Sequence, residues 1–100
     1  MMPKNNMSIE SLLKKEEYKK IVQELKKKKY TSTFDLRNNG IDLIPQRLNE
    51  KLNLMFEHGY IERIGKPRYF KYCLSNKYWI WELRNEVNEI ISKYKNLVVR

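Results

Sequence analysis

Leu52-Asn53-Leu54-Met55-Phe56-Glu57-His58-Gly59-Tyr60-Ile61-Glu62-Arg63 is the stretch at which the hydrophobic period of this chain changes. Before Gly59, apolar residues recur at helical spacing; after it they alternate. Ile44, Leu48, Leu52 and Met55 form the inward stripe of a helix running from about Leu43 or Ile44 to His58. Pro45 falls in its first turn, where a missing N–H does no harm. Gly59 stands just past the helix end, the usual place for a glycine stop. Tyr60 to Ile64 then reads as a strand, Gly65-Lys66-Pro67 as a tight turn, and Arg68 to Leu74 as a returning strand rich in aromatics. A helix thus leads directly into a hairpin with a basic tip.

Working outward, Ser8 to Tyr30 reads as helix, with Ile9, Leu12, Leu13, Ile21, Val22 and Leu25 on its inner face and a break near Lys15. Ser8 or Ser11 suits the N-cap. Lys26 to Lys29 close the run, where cations complement the negative end of the helix dipole. Thr31-Ser32-Thr33 offers a second N-cap, before a short helix to about Arg37, and Asn38-Asn39-Gly40 makes a turn. Downstream, Ser75 or Asn76 caps a last helix reaching about Asn96. The predicted fold is α+β and mostly helical: a loose arm over 1–7, one domain over 8–75, and a helical extension over 76–100.

The quoted stretch resembles the "L-x-x-L-x-x-x-G-L-I-x-R" signature of winged helix-turn-helix regulators, including the MarR-like, ArsR-like and PadR-like families. Leu52 and Met55 stand at the anchor positions, Gly59 at the stop, and Tyr60-Ile61-Glu62-Arg63 at the start of the wing. Tyr69 to Ser75 resembles those families' return strand, and the likeness covers roughly Tyr18 to Lys77. It implies a double-stranded DNA-binding protein, with the helix ending at His58 in the major groove and the hairpin as a wing.

The residues support that reading by their chemistry. A recognition helix buries one face and offers the other to a groove about 12 Å wide. Opposite the apolar stripe lie Gln46, Arg47, Asn49, Glu50 and Asn53, with Lys51 beside them; Arg, Gln and Asn carry the paired groups that read guanine and adenine edges. Thr31, Ser32 and Thr33 open the preceding helix, where hydroxyls and unpaired N–H groups suit a phosphate. Lys66 and Arg68 at the hairpin tip are expected to reach the minor groove or flanking backbone, and Lys71 to add a phosphate contact. Glu50 departs from the family pattern. It either accepts from cytosine N4, pairs with Arg47 or Lys51, or weakens the helix's grip on DNA; the neighbouring ion pair is the expectation.

Ile80, Leu83, Val87, Ile90, Tyr94 and Leu97 alternate three and four residues apart in the last helix, a heptad seam. That seam either packs on the first helix of the same chain or forms a homodimer, as an antiparallel or crossing pair. A dimer places two recognition helices one DNA turn apart on a pseudo-palindromic site.

The formal net charge of +9 and pI near 9.7 point to polyanionic partners. The chain contains no alanine and much Lys, Asn, Ile and Tyr, so an AT-rich genome accounts for part of the lysine excess. Cys73 is the single cysteine and reads as a buried apolar residue, and His58 as a helix-end histidine near carbonyls. Trp79 and Trp81 read as core or interface. With no histidine pair, Cys/His cluster, glycine-rich phosphate loop or nucleophile with its base, no enzyme, cofactor or metal is expected. No apolar run has transmembrane length and the first residues lack a signal-peptide core, so the expected location is cytoplasmic and nucleoid-associated. Three functions follow: a transcriptional repressor, a plasmid or virus replication or partition factor on repeated sites, or a winged-helix module for protein contacts.

Overall fold

A computed structural model describes residues 8–98, with side chains through 95. The arm expected over 1–7 lies outside the described residues. In chain order the elements are α1 (Ile9–Leu13), α2 (Glu16–Lys27), β1 (Thr31–Ser32), α3 (Thr33–Asn38), α4 (Pro45–Glu57), β2 (Ile61–Ile64), β3 (Lys71–Leu74) and α5 (Asn76–Val98). The fold is α+β and mostly helical, with one small antiparallel sheet and a long C-terminal helix.

Ser8 caps α1, its Oγ accepting from the Ser11 N–H at 3.1 Å. The expected break falls at Lys15, which is extended, and Glu16 and Glu17 then supply the acidic first turn that a new helix start favours. Tyr18, Ile21, Val22 and Leu25 are the buried face of α2. They meet Leu36, Leu48, Leu52, Met55, Ile61, Tyr72 and Leu74 in a single core.

Between α3 and α4 the Arg37 Nε donates to the Leu43 carbonyl at 3.1 Å, bracing the turn. Ile44 was expected on the inward stripe but is 61% exposed. It is the extended residue before Pro45, off the helical phase, and the proline ring disfavours a helical conformation there.

The end of α4 is fixed by backbone hydrogen bonds. Gly59 takes φ +82°, its N–H reaching the Phe56 carbonyl at 3.0 Å and the next N–H, of Tyr60, reaching Met55 at 2.9 Å. These bonds satisfy carbonyls that the helix leaves open. Tyr60, itself buried, is thereby delivered to the core beside β2.

Two features of the sheet depart from expectation. The strands run in the order β1-β3-β2, so the two-residue β1, not anticipated, pairs Thr31 with Tyr72 and Ser32 with Lys71. The connection between β2 and β3 spans residues 65–70 in place of a tight turn at Gly65-Lys66-Pro67. It is closed by the Tyr69 N–H donating to the Lys66 carbonyl at 2.8 Å. Gly65 has φ +101°, and a Cβ there would sit 2.9 Å from the Tyr69 carbonyl oxygen, so no larger residue fits without moving the loop.

Ser75 joins the hairpin to α5. Its hydroxyl donates to the Gly59 carbonyl at 2.5 Å and accepts from the Tyr78 N–H at 3.3 Å. Lys77 Nζ adds a bond to the His58 carbonyl at 2.8 Å. The root of α5 is then pinned from two sides. Buried Tyr78 donates to Glu82, which pairs with Lys26 of α2 at 2.5 Å, and half-buried Trp81 donates to Glu10 of α1 at 2.9 Å. Beyond Glu82 the described residues of α5 are exposed. The radius of gyration, 16.1 Å, exceeds the value of about 13 Å for a compact chain of this length. Most of the seam expected to pack on the first helix of the same chain or on a second copy is exposed, and at its start Ile80 borders a groove with Ser8, Ile9 and Glu10.

Ser75→Ala removes an N-cap and strands the Gly59 carbonyl. A loss of about 1–3 kcal/mol is expected, read as a lower urea midpoint with an unchanged slope. An unchanged midpoint contradicts this account of the junction.

Candidate nucleic-acid interface

With Leu48, Leu52 and Met55 wholly buried, the helical phase of α4 leaves Gln46, Arg47, Asn49, Glu50 and Asn53 exposed. The hairpin rises beside this face. Between them lies a cleft of about 250 Å³ lined by Thr33, Asn49, Asn53, Arg63, Pro67, Arg68, Phe70 and Tyr72. Five of the expected site residues therefore cluster around α4, and Thr33 and Arg68 join two of them in one concavity.

The hairpin is held against α4 by Arg63. Its guanidinium lies 4.0 Å from the Phe56 ring centroid and 4.4 Å from that of Phe70, and its Nη1 donates to Asn53 Oδ1 at 3.1 Å. A planar cation between two aromatic faces gains from both ring quadrupoles. Phe56 belongs to α4, Arg63 to β2, and Phe70 to the end of the loop, so one side chain unites helix, strand and loop. Tyr72, cross-strand from Arg63, belongs to the same cluster; burial pushes its phenol above the ordinary range although Arg63 acts in the opposite sense. The motif accounts for Arg63 only as part of the strand that follows Gly59. The period of two from buried Ile61 already placed it on the inward face, among aromatics, and that was the available signal.

Several expected contacts are not where the sequence put them. Thr31 is buried in β1, its Oγ1 without a hydrogen-bond partner among the described residues, because pairing with Tyr72 turns it into the core. The Ser32 hydroxyl is engaged as the α3 cap, accepting from the Asp35 N–H at 3.1 Å. Lys51 is turned onto α2, with Nζ 2.8 Å from Glu17 and 4.8 Å from the Tyr18 ring centroid. Lys71 shares its strand with inward-facing Tyr72 and, by the pleat, stands on the opposite face of the sheet with Ile64. Glu50 makes no ion pair with Arg47 or Lys51 among the described residues; Lys51 is taken by Glu17.

The charge that remains at the site is cationic at its edges. Lys66 and Arg68 are exposed in the loop and, among the described residues, neither forms an ion pair. Arg68 has φ +78°, a conformation that residues with a Cβ adopt at a cost, and it lines the cleft. Arg47 lies on the α2 side of α4. The Glu17 carboxyl is held below the ordinary range, first by its hydrogen bond from Lys51 and also by the nearby charges of Lys51, Arg47 and Lys15.

Of the expected dimer seam, Ile80, Leu83, Val87, Ile90 and Tyr94 are all exposed, with Leu83 at 57% and Tyr94 at 63%; the side chain of Leu97 lies outside the described residues. Ile91, absent from the expected seam, is exposed beside it. His58 Nδ1 is 2.9 Å from the Leu54 carbonyl, and Cys73 is half-buried in β3 with its thiol pushed up by burial. Among the described residues there is no group of three His, Cys, Asp or Glu side chains able to hold a metal ion, and no helix long and apolar enough to cross a membrane. Comparison with protein-family models, with curated proteins and with solved structures yields no match.

Arg63→Lys keeps the charge but loses the planar group that stacks. We expect it to destabilise the fold by about 1–2 kcal/mol in urea unfolding, with a smaller effect when Phe70 is already alanine. Full additivity of Arg63→Lys and Phe70→Ala contradicts the sandwich as the coupling between strand and loop.

Proposed function

We propose that the chain is a winged helix-turn-helix protein that binds double-stranded DNA sequence-specifically as a homodimer and acts as a transcriptional regulator. The observation that carries the reading is the polar, exposed face of α4 set beside a loop whose Lys66 and Arg68 form no ion pair among the described residues, the two joined by an open cleft of mixed polar and aromatic lining. Helices of this kind enter the major groove by their N-terminal part, where Gln46, Arg47 and Asn49 lie. Asn49 and Gln46 are placed for base edges. Arg47 on the flank, and Lys66 and Arg68 in the loop, are placed for phosphates, which fix orientation without reading sequence. The solvent-exposed seam of α5 supports the homodimer, and a two-fold dimer presents two copies of α4 to a pseudo-palindromic site.

One observation favours a second reading. Glu50 stands in the exposed face of α4 without an ion-pair partner among the described residues, and a carboxylate there is repelled by phosphates. A module that contacts another protein through α4 is the alternative it supports.

Lys66→Ala and Arg68→Ala are each expected to weaken binding to all duplexes and to lower the slope of log affinity against log salt by about one. Lys71→Ala, on the other face of the sheet, is expected to leave both nearly unchanged. Fluorescence anisotropy with a specific and a random duplex checks these outcomes, the specific site binding about 10³-fold tighter or more. If neither Arg47→Ala nor Lys66→Ala weakens DNA binding, the protein-contact reading replaces the DNA-binding one.

A further inference from the structure

The exposed seam of α5 also carries a charge pattern that bears on how two copies meet. Taking Ile80, Val87 and Tyr94 as the a positions and Leu83 and Ile90 as d, the flanking g positions are Glu86 and Lys93, and the e positions Arg84 and Ile91. All of these are exposed, and neither Glu86 nor Lys93 has an ion-pair partner among the described residues. The opposite face, with Asn85, Asn88, Glu89 and Ser92, is polar, and Lys93 stands at the boundary between that face and the seam, so the helix has one apolar side to cover.

We infer that α5 pairs with a second copy of itself in antiparallel register, centred between residues 88 and 89, with Glu86 of each copy facing Lys93 of the other. The inference rests on the homodimer proposed above and adds its orientation. In this register every a residue meets a d residue: Leu83 packs on the partner's Tyr94, and Val87 on the partner's Ile90. Antiparallel helices bring g against g and e against e. The two Glu86–Lys93 pairs are therefore complementary, and the Arg84 stem covers the partner's Ile91. A parallel pair instead sets g against the following e, leaving Glu86 against Ile91 and no opposite charges together. The apolar seam permits both arrangements; the charges select one.

The register also sets a distance. Tyr78, where α5 leaves the body, is about 16 Å along the axis from the centre, so the two roots stand about 30 Å apart.

The test uses spin labels on the full chain in a Cys73→Ser background, without DNA. Asn88→Cys and Lys95→Cys occupy equivalent heptad positions on exposed sites. The axial offset between identical labels is about 2 Å for the first and about 20 Å for the second, so the measured distance must be longer at 95. Equal distances at the two positions overturn the register and leave a parallel dimer. Absence of dipolar coupling at both overturns the self-pairing itself, while DNA binding is judged separately by anisotropy. As a second measure, Glu86→Lys and Lys93→Glu are each expected to weaken self-association about tenfold in sedimentation equilibrium, and a mixture of the two to recover it. Failure of the mixture to associate more tightly than either variant alone overturns the inference.

Discussion

Leu48, Leu52 and Met55 lie on one face of α4 and are wholly buried, and that burial fixes which residues of the helix meet solvent. Each such side chain contributes about 1.5–3 kcal/mol relative to exposure. Rotating α4 by even one residue position exchanges apolar for polar contacts across its length. The glycine closure at Gly59 carries this constraint forward, because it sets where the chain leaves α4 and enters β2. Arg63, between Phe56 and Phe70, then ties the hairpin back to the same helix. Helix face, strand direction and hairpin position are one mechanical unit.

Attachment of α5 is of a different kind. Hydrogen bonds and ion pairs of Ser75, Lys77, Tyr78, Trp81 and Glu82 hold its first turns to elements far away in sequence. Past that root the side chains of α5 are exposed through residue 95, and Arg84 borders a groove with Ser8, Ile9, Glu10 and Tyr60 of the body. The protein thus combines a packed unit that exposes one face of α4 and the loop with a long final helix whose apolar stripe is exposed.

The parts of this arrangement that were legible in the sequence are those with a repeating signal. The stripe of α4, the stop at Gly59, the switch to alternation and the long final helix all follow from spacing. What was not legible depends on partners distant in sequence. Two residues of β1 are too few to show a period, and Thr31 turns inward only because β3 lies beside it. Lys51 counts with the DNA-facing residues or as a partner for Glu50 by local spacing, but Glu17 and Tyr18 of α2 hold it. Lys71 is set by strand register, which the longer loop over 65–70 moved away from the expected tight turn. Ile44 fits the helical stripe of α4 by counting but precedes the proline and is extended. The candidate site consequently narrows from twelve residues to those around the cleft and the loop, and gains Arg63 as the residue that positions them.

Selection of bound sequences from a random duplex pool, performed at two salt concentrations, tests the central claim most directly. The account predicts an enriched motif with two-fold symmetry, its half-sites about 10 base pairs apart, and binding that falls steeply as salt rises. A pool that emerges without an enriched sequence at either salt concentration contradicts it.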